Sequence, residues 1–141
     1  MTTVREAVAD DRPRLSAIQT AALDEQWPEL LELALDGPPL CLLVETDRPV
    51  GYALVIADDE TAYVAEFAVA PSEQGQGYGS TLMEALLSRL SERGREQVRL
   101  TVRADDERAQ SFYADHGFAV LERVPDHYAD GGDGLLLSRH L

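Results

Sequence analysis

A run of glycines between an apolar segment and an amphipathic one is the part of this sequence best suited to bind a ligand. The run is Gln74-Gly75-Gln76-Gly77-Tyr78-Gly79-Ser80, and it follows the apolar residues 67–70. If a helix begins there, its free N–H groups and its dipole favour an anion. Glycines also let a phosphate approach the main chain without meeting a Cβ atom. The pattern therefore predicts a phosphate- or pyrophosphate-binding turn at residues 74–80.

Two common phosphate-binding motifs do not match this run. The dinucleotide-binding pattern G-x-G-x-x-G, begun at Gly75, would require a glycine where the chain has Ser80. The P-loop requires a Gly-Lys-Ser/Thr sequence, and the chain contains no lysine. A glycine-rich turn that serves only packing is the alternative to a binding site.

The elements around the run are those of a mixed α/β fold. Leu82, Leu86 and Leu90 form one apolar stripe, which predicts a helix that ends before Gly94. Caps and helical spacing predict three further helices, at 11–22, 29–35 and 106–116. Apolar and aromatic enrichment predicts strands over Thr3–Val8, Cys41–Glu45, Pro49–Ala57, Ala62–Val69, Gln97–Val102, Phe118–Arg123 and Gly134–Leu141. The order is β-α-α-β-β-β-α-β-α-β-β, in one domain of residues 1–141.

The composition argues against several classes of protein. The net charge is −14 and all twelve basic residues are arginines, so binding to nucleic acid is not expected. The acidic surface either attracts a cationic amine or suits a salt-rich, halophilic cytoplasm. No apolar run is long enough to span a membrane, and no signal peptide or metal-ligand spacing is found, so we expect a cytoplasmic protein without a metal. The one cysteine, Cys41, is expected to be a buried thiol.

Two segments, in the right order, resemble the GNAT family of acetyltransferases. Residues 74–79 match its Q/R-x-x-G-x-G/A motif, and residues 109–118 resemble its A-x-x-F-Y-x-x-x-G-F segment. The resemblance extends over residues 3–141 and is closest in pattern to ribosomal-protein alanine and N-terminal acetyltransferases. It implies a GNAT-type, mostly antiparallel central sheet with helices on both faces. Two strands of such a sheet separate to admit coenzyme A.

The resemblance implies an acetyl-CoA-dependent N-acetyltransferase. Its acceptor would be a primary amine, either a protein N-terminus or a small molecule, that attacks acetyl-CoA directly in a ternary complex. A homodimer is compatible with this family. The implied contacts to acetyl-CoA are Phe67, Ala68, Val69, Gln74, Gly75, Gln76, Gly77, Tyr78, Gly79, Ser80, Asp106 and Tyr113. A non-catalytic acyl-CoA-binding module of the same fold is the alternative function.

This reaction requires a base, an oxyanion donor and an acid. An alkyl ammonium, with a pKa of about 10.4, must lose a proton before it attacks a thioester. Glu66 is the predicted base, because a carboxylate among apolar neighbours is unusual in a strand unless it reaches the substrate; a bulge would turn it to the other face. The N–H of Val69 is the predicted oxyanion donor, and Tyr113 is the predicted acid for the departing thiolate. If Glu66 is not the base, the next candidates are Glu25, Glu29, His127 and bulk water.

Four positions extend the family pattern or depart from it. Where ribosomal-protein alanine acetyltransferases carry a glutamate base, this chain has Thr101, which cannot act as a base at neutral pH. Asp106 stands where an asparagine commonly contacts the pantetheine arm. His127 and Tyr128 lie where N-terminal acetyltransferases carry a tyrosine pair, so both are predicted to contact the acceptor.

Overall fold

Residues 1–141, all of which the computed structural model describes, fold around one seven-stranded sheet. The helices and strands follow the predicted order, and their ends lie within two residues of the predicted ones: β1 (Thr3–Glu6), α1 (Arg12–Ala22), α2 (Pro28–Ala34), β2 (Leu40–Glu45), β3 (Pro49–Ala57), β4 (Thr61–Val69), α3 (Tyr78–Glu92), β5 (Gln97–Arg103), α4 (Glu107–Asp115), β6 (Ala119–Val124) and β7 (Gly134–His140). Two short 3-10 turns, Ala9–Asp11 and Pro71–Glu73, are not predicted by the sequence pattern.

The strands follow the order β1-β2-β3-β4-β5-β7-β6, and every neighbouring pair is antiparallel except β4 and β5. The parallel pair is short, since only Thr61–Tyr63 pairs with Gln97–Arg99. Beyond these residues the two strands no longer pair, and a gap opens between them. The mostly antiparallel sheet and the separation of two strands are thus confirmed.

Helices cover both faces of the sheet, as predicted. Successive residues of β2 and β3 point to opposite faces, so each strand contributes to two cores. The core under α1 and α2 includes Leu15, Ile18, Leu31, Cys41, Leu43, Tyr52 and Leu54. The core under α3, with α4 at its margin, includes Leu42, Val55, Leu82, Leu86, Leu90, Val98 and Leu137. No helix of the structure combines the length and the apolarity needed to cross a membrane.

A bulge at Ala65 changes the face to which the residues of β4 point. The register between β3 and β4 shifts by one residue between Val64 and Glu66, so Ala65 has no partner on β3. Before the bulge, Val64 packs in the core under α3, whereas after it Ala68 packs in the core under α1. Glu66 therefore points to the α1 face of the sheet, and Phe67 points to the face of α3 and α4.

Candidate active site

The gap between β4 and β5 opens into a cavity of about 1130 Å³ that is lined from both faces of the sheet. On one face the lining includes Phe112 and Tyr113 of α4, and on the other it includes Ala22 and Leu23 at the end of α1. A molecule in the gap can therefore be reached from both sides of the sheet. This is the geometry that a reaction between two separately bound molecules requires.

The cavity brings together most of the predicted site residues. Those that line it are Glu66, Phe67, Val69, Gln74, Gly75, Gly77, Tyr78, Gly79, Ser80, Asp106, Tyr113, His127 and Tyr128. Two predicted residues are not part of its lining. Ala68 is buried in the core under α1, and the Gln76 side chain is exposed beside Glu73, 3.4 Å from its carboxylate.

The glycine run forms a tight turn that leads into the N-terminus of α3. Gly75 and Gly77 have φ angles of +82° and +87°, in the left-handed region that favours glycine. Gly77 caps α3 without a side-chain hydrogen bond, so no cap side chain occupies the first N–H groups of the helix. Gly79 lies against α4, where an added Cβ would be 3.4 Å from the Phe112 ring. The turn has the geometry of an anion site.

Two side chains of the run fix the turn to its surroundings. Gln74 Nε2 donates to the carbonyl of Val69 at 3.0 Å, which ties the start of the turn to the end of β4. The Ser80 hydroxyl lies 3.1 Å from His116 Nε2, which ties the start of α3 to the end of α4. The side chains therefore brace the turn and leave ligand binding to its backbone.

The backbone of β4 faces the gap after β5 has separated from it. The N–H of Ala70, just beyond the strand, donates to Val50 of β3 at 2.8 Å. Because successive residues direct their N–H groups to opposite sides of a strand, the N–H of Val69 points into the gap. The N–H of Val69 is thus suitably placed for an oxyanion donor, and that role stays a prediction.

Tyr113 is packed among aromatic rings, with its hydroxyl left free. Ring centroids of Phe67, Phe112 and Phe118 lie 5.3–6.2 Å from that of Tyr113, all in edge-on geometry. The hydroxyl makes no hydrogen bond within the protein, although the residue lines the cavity. Burial, and then the nearby Asp106 charge, raise the pKa of Tyr113, so the phenol holds its proton at neutral pH. Asp106 itself caps α4 by accepting from the N–H of Ala109 at 3.0 Å.

Glu66 is buried, and its carboxylate accepts three hydrogen bonds. Oε1 accepts from Gln19 Nε2 and from the Tyr52 hydroxyl, both at 2.8 Å. Oε2 accepts from the backbone N–H of Trp27 at 2.7 Å. These donors belong to α1, to β3 and to the connection between α1 and α2. The carboxylate thus joins three elements beside the cavity, while its role as a base stays a prediction.

The hydroxyls of Tyr63 and Thr101 lie 2.7 Å apart at the point where β4 and β5 begin to separate. Both residues line the cavity, and strand alternation puts both on the α1 face. From the sequence, Thr101 is predicted only as the position of a missing base, and Tyr63 is not predicted. Only the register of β4 against β5 brings them together, and one sequence does not reveal that register. The pair offers two hydroxyls that can pass a proton.

Arg103, at the end of β5, organises the part of the cavity under α1 and is likewise not predicted. Its guanidinium donates to Asp130 at 3.0 and 3.2 Å and pairs with Glu25. It also lies 4.3 Å from the ring centroid of Tyr128, whose ring meets that of His127 edge-on at 4.8 Å. Arg103 therefore packs on one predicted acceptor contact, Tyr128, which in turn packs on the other, His127. Glu25, an alternative candidate for the base, is engaged in an ion pair.

Comparisons with known proteins point to one family. Residues 2–118 match the acetyltransferase (GNAT) family. N-alpha-acetyltransferase 30 of Schizosaccharomyces pombe is 31% identical over 115 residues, which cover 78% of this chain and 71% of that protein. The ribosomal protein bS18-alanine N-acetyltransferase of Haemophilus ducreyi is 31% identical over 127 residues, covering 89% and 88%. The crystal structure of Ard1 from Thermoplasma volcanium matches with a TM-score of 0.91 and 28% identity, covering 99% and 97%.

The chain therefore belongs to the acetyltransferase (GNAT) family, as its two motifs predict. It is an N-acetyltransferase that takes its acetyl group from acetyl-CoA. The alternative of a non-catalytic acyl-CoA-binding module receives no support from these relatives.

Replacing Glu66 tests its role as an anchor, that is, as the carboxylate that joins α1, β3 and the connection between α1 and α2. We expect Glu66→Gln to lower the free energy of unfolding by about 1–3 kcal/mol, because the amide would turn a donor toward the N–H of Trp27. Urea unfolding measures this loss. Glu60→Gln, in the exposed turn before β4, is the matched control and should change the free energy by less than about 0.5 kcal/mol.

The pH dependence of the rate distinguishes two roles of Glu66, that of a structural anchor and that of the catalytic base. Three donors already surround the Glu66 carboxylate, so we expect the pH–rate profile of Glu66→Gln to run parallel to that of the wild type, contrary to the base role that the sequence predicts. A rate deficit at neutral pH that disappears at high pH, where the amine deprotonates unaided, would identify Glu66 as the base.

Proposed function

We propose that the acceptor is the α-amino group of a protein or peptide N-terminus. The observation that carries this proposal is the cavity, which continues from the gap to a space between residues 23–25 and residues 127–129. An extended peptide end fits between two such connections better than a side chain on a folded surface does. Two relatives matched over most of their length are named as N-alpha- and alanine N-acetyltransferases, which supports the same acceptor. The carboxylates of Asp24 and Glu25 in the lining favour a protonated amine on entry.

The proposed acetyl-CoA site lies on the other side of the gap. The turn at 74–80 would hold the pyrophosphate through its backbone N–H groups, and the free backbone edge of residues 67–69 would pair with the pantetheine arm. The N–H of Val69 would then lie beside the thioester oxygen. Asp106 stays a proposed neighbour of the pantetheine arm, although its side chain already caps α4.

Arg108 is proposed to neutralise the phosphates of acetyl-CoA. The turn itself carries no cation, and only two arginines line the cavity, Arg103 and Arg108. Arg103 is bound by two carboxylates, whereas Arg108 is exposed and takes part in none of the ion pairs. It lies one helical turn before Phe112, whose ring meets Gly79, so it is on the face of α4 directed to the turn.

The proposed reaction follows from these positions. The neutral amine attacks the thioester carbon, a C–N bond forms, and the C–S bond breaks. The amine proton would leave through the Tyr63 and Thr101 hydroxyls to water, since both lie on the side of the gap from which the acceptor enters. Tyr113, on the opposite side, would give its proton to the departing thiolate. A cytoplasmic location, a homodimer and adaptation to high salt stay proposals drawn from the sequence.

The acceptor proposal is tested with a panel of amines. We expect acetyl-CoA and the enzyme to modify peptides with a free N-terminus, and to leave unmodified the same peptides with a blocked N-terminus and an internal lysine. Small polyamines form the third arm, and mass spectrometry locates the added acetyl group. Modification of the lysine or the polyamine alone would contradict the proposal.

The acetyl-CoA site is tested at Gly77. We expect Gly77→Glu to abolish acetyl-CoA binding in calorimetry, because a side chain and a negative charge would enter the turn. Gly94→Glu is the matched control, since Gly94 has a φ of +81° and follows the other end of α3. Both variants should lose about 1–2 kcal/mol of stability, but only the first should lose affinity. Wild-type affinity in folded Gly77→Glu would remove the turn from the site.

The role of Tyr113 is tested by removing its hydroxyl. We expect Tyr113→Phe to lower kcat by about 100-fold, a typical value for the loss of a general acid, with little change in acetyl-CoA affinity. The melting temperature should not fall, because the hydroxyl has no partner within the protein. A variant with wild-type kcat would show that the thiolate leaves without this acid.

A further inference from the structure

One guanidinium joins the two connections between which the acceptor would enter. The α1–α2 segment is residues 23–27, and the β6–β7 segment is residues 125–133. Arg103 lies between them and is three-quarters buried, with a side-chain exposure of 25%. It pairs with Glu25 of the first segment and with Asp130 of the second. No other ion pair connects these two segments.

The β6–β7 segment is folded around the guanidinium. Asp130 accepts two hydrogen bonds from Arg103 Nη1, at 3.0 and 3.2 Å, and one from the N–H of Gly132 at 2.9 Å. A Cβ on Gly132 would lie 2.8 Å from the same Nη1, so a larger residue would displace the arginine. The central carbon of the guanidinium lies over the ring of Tyr128, 4.3 Å from its centroid. The position of Tyr128 in the cavity therefore depends on Arg103.

The α1–α2 segment is held at two points. The N–H of Trp27 donates to Glu66, and Glu25 pairs with Arg103. Leu23, Asp24 and Glu25 line the cavity between the end of α1 and these contacts. Without the arginine, only the Trp27 anchor would remain near the end of the segment.

Arginine is the one side chain that can make all these contacts. Its planar fork reaches two carboxylates while the guanidinium lies over an aromatic ring, whereas a lysine ammonium is a point charge on a single nitrogen. The Gly132 N–H and the Arg103 guanidinium hold the pKa of Asp130 below its usual range, so the pair stays ionised at neutral pH.

We propose that Arg103 is a positioning residue that fixes the width of the acceptor entrance, so that it governs acceptor binding and not acetyl-CoA binding. It acts through Tyr128 and through the α1–α2 segment, on the opposite side of the gap from the glycine turn. The kinetic part of this inference rests on the proposed function, since it requires an acceptor. The structural part of the inference, that the Arg103 side chain holds both segments, is independent of the proposed function.

The kinetic test compares Arg103→Ala and Arg103→Lys with the wild type on an N-terminal peptide. We expect Arg103→Ala to raise the KM for the peptide by about tenfold or more, with kcat changed less than about threefold and acetyl-CoA affinity unchanged. Arg103→Lys should restore only part of the loss. Arg99→Ala is the matched control, because Arg99 lies on the same face of β5 and its side chain bonds only to Gln97. A KM equal to that of the wild type, or an equal loss of acetyl-CoA affinity, would overturn the proposal.

Hydrogen exchange tests the structural part without any acceptor. We expect Arg103→Ala to increase exchange in both segments, 23–27 and 125–133, while exchange in α3 stays unchanged. Glu25→Gln should increase exchange in residues 23–27. The double variant with Arg103→Ala should show little further increase in that segment. If wild-type enzyme modifies no peptide, the proposed function fails and this measurement still decides the role of Arg103. Unchanged exchange of Arg103→Ala in either segment would overturn the proposal that Arg103 holds both segments.

Discussion

The bulge at Ala65 is the constraint on which the arrangement of the site depends. An extra residue in one strand of an antiparallel pair bends that strand and increases its twist. β4 pairs with β5 up to Tyr63, just before the bulge, and leaves it afterwards. The same insertion turns Glu66 toward α1 and Phe67 toward α4. One alanine thus accounts for the gap and for the side chains that face it on each side.

The two sides of the gap are built in different ways. The side proposed for acetyl-CoA consists of a helix N-terminus, a glycine turn braced by side chains, and packed aromatic rings. The side proposed for the acceptor consists of two connections without regular structure, held by the Glu66 carboxylate and the Arg103 guanidinium. Such connections open more readily than a packed core does. The same cofactor site can therefore serve different acceptors when only the connections and their polar contacts change.

Features that depend on local sequence could be predicted, whereas those that depend on register and bulges could not. The glycine run and the leucine stripe of α3 each depend on residues that are close in the sequence, and the spacing of those residues predicts both. The helix of the second motif, α4, packs against Gly79 of the first motif. The direction of Glu66 depends on one inserted residue, which the alternation of apolar residues in β4 does not reveal. The Tyr63–Thr101 contact depends on the register of a short parallel pair. The contacts of Arg103 depend on where two irregular connections meet, and no periodic pattern describes such connections.

The use of arginine in every ion pair of this structure has a chemical consequence. A lysine amine that loses its proton is a nucleophile, and the thioester of acetyl-CoA is an electrophile. A guanidinium keeps its proton at all ordinary pH values and does not attack thioesters under ordinary conditions. Because the chain has no lysine, none of its ion pairs contains a side chain that its own co-substrate could acetylate. The salt bridges of Arg103 at the proposed acceptor entrance are therefore resistant to acetylation by the co-substrate.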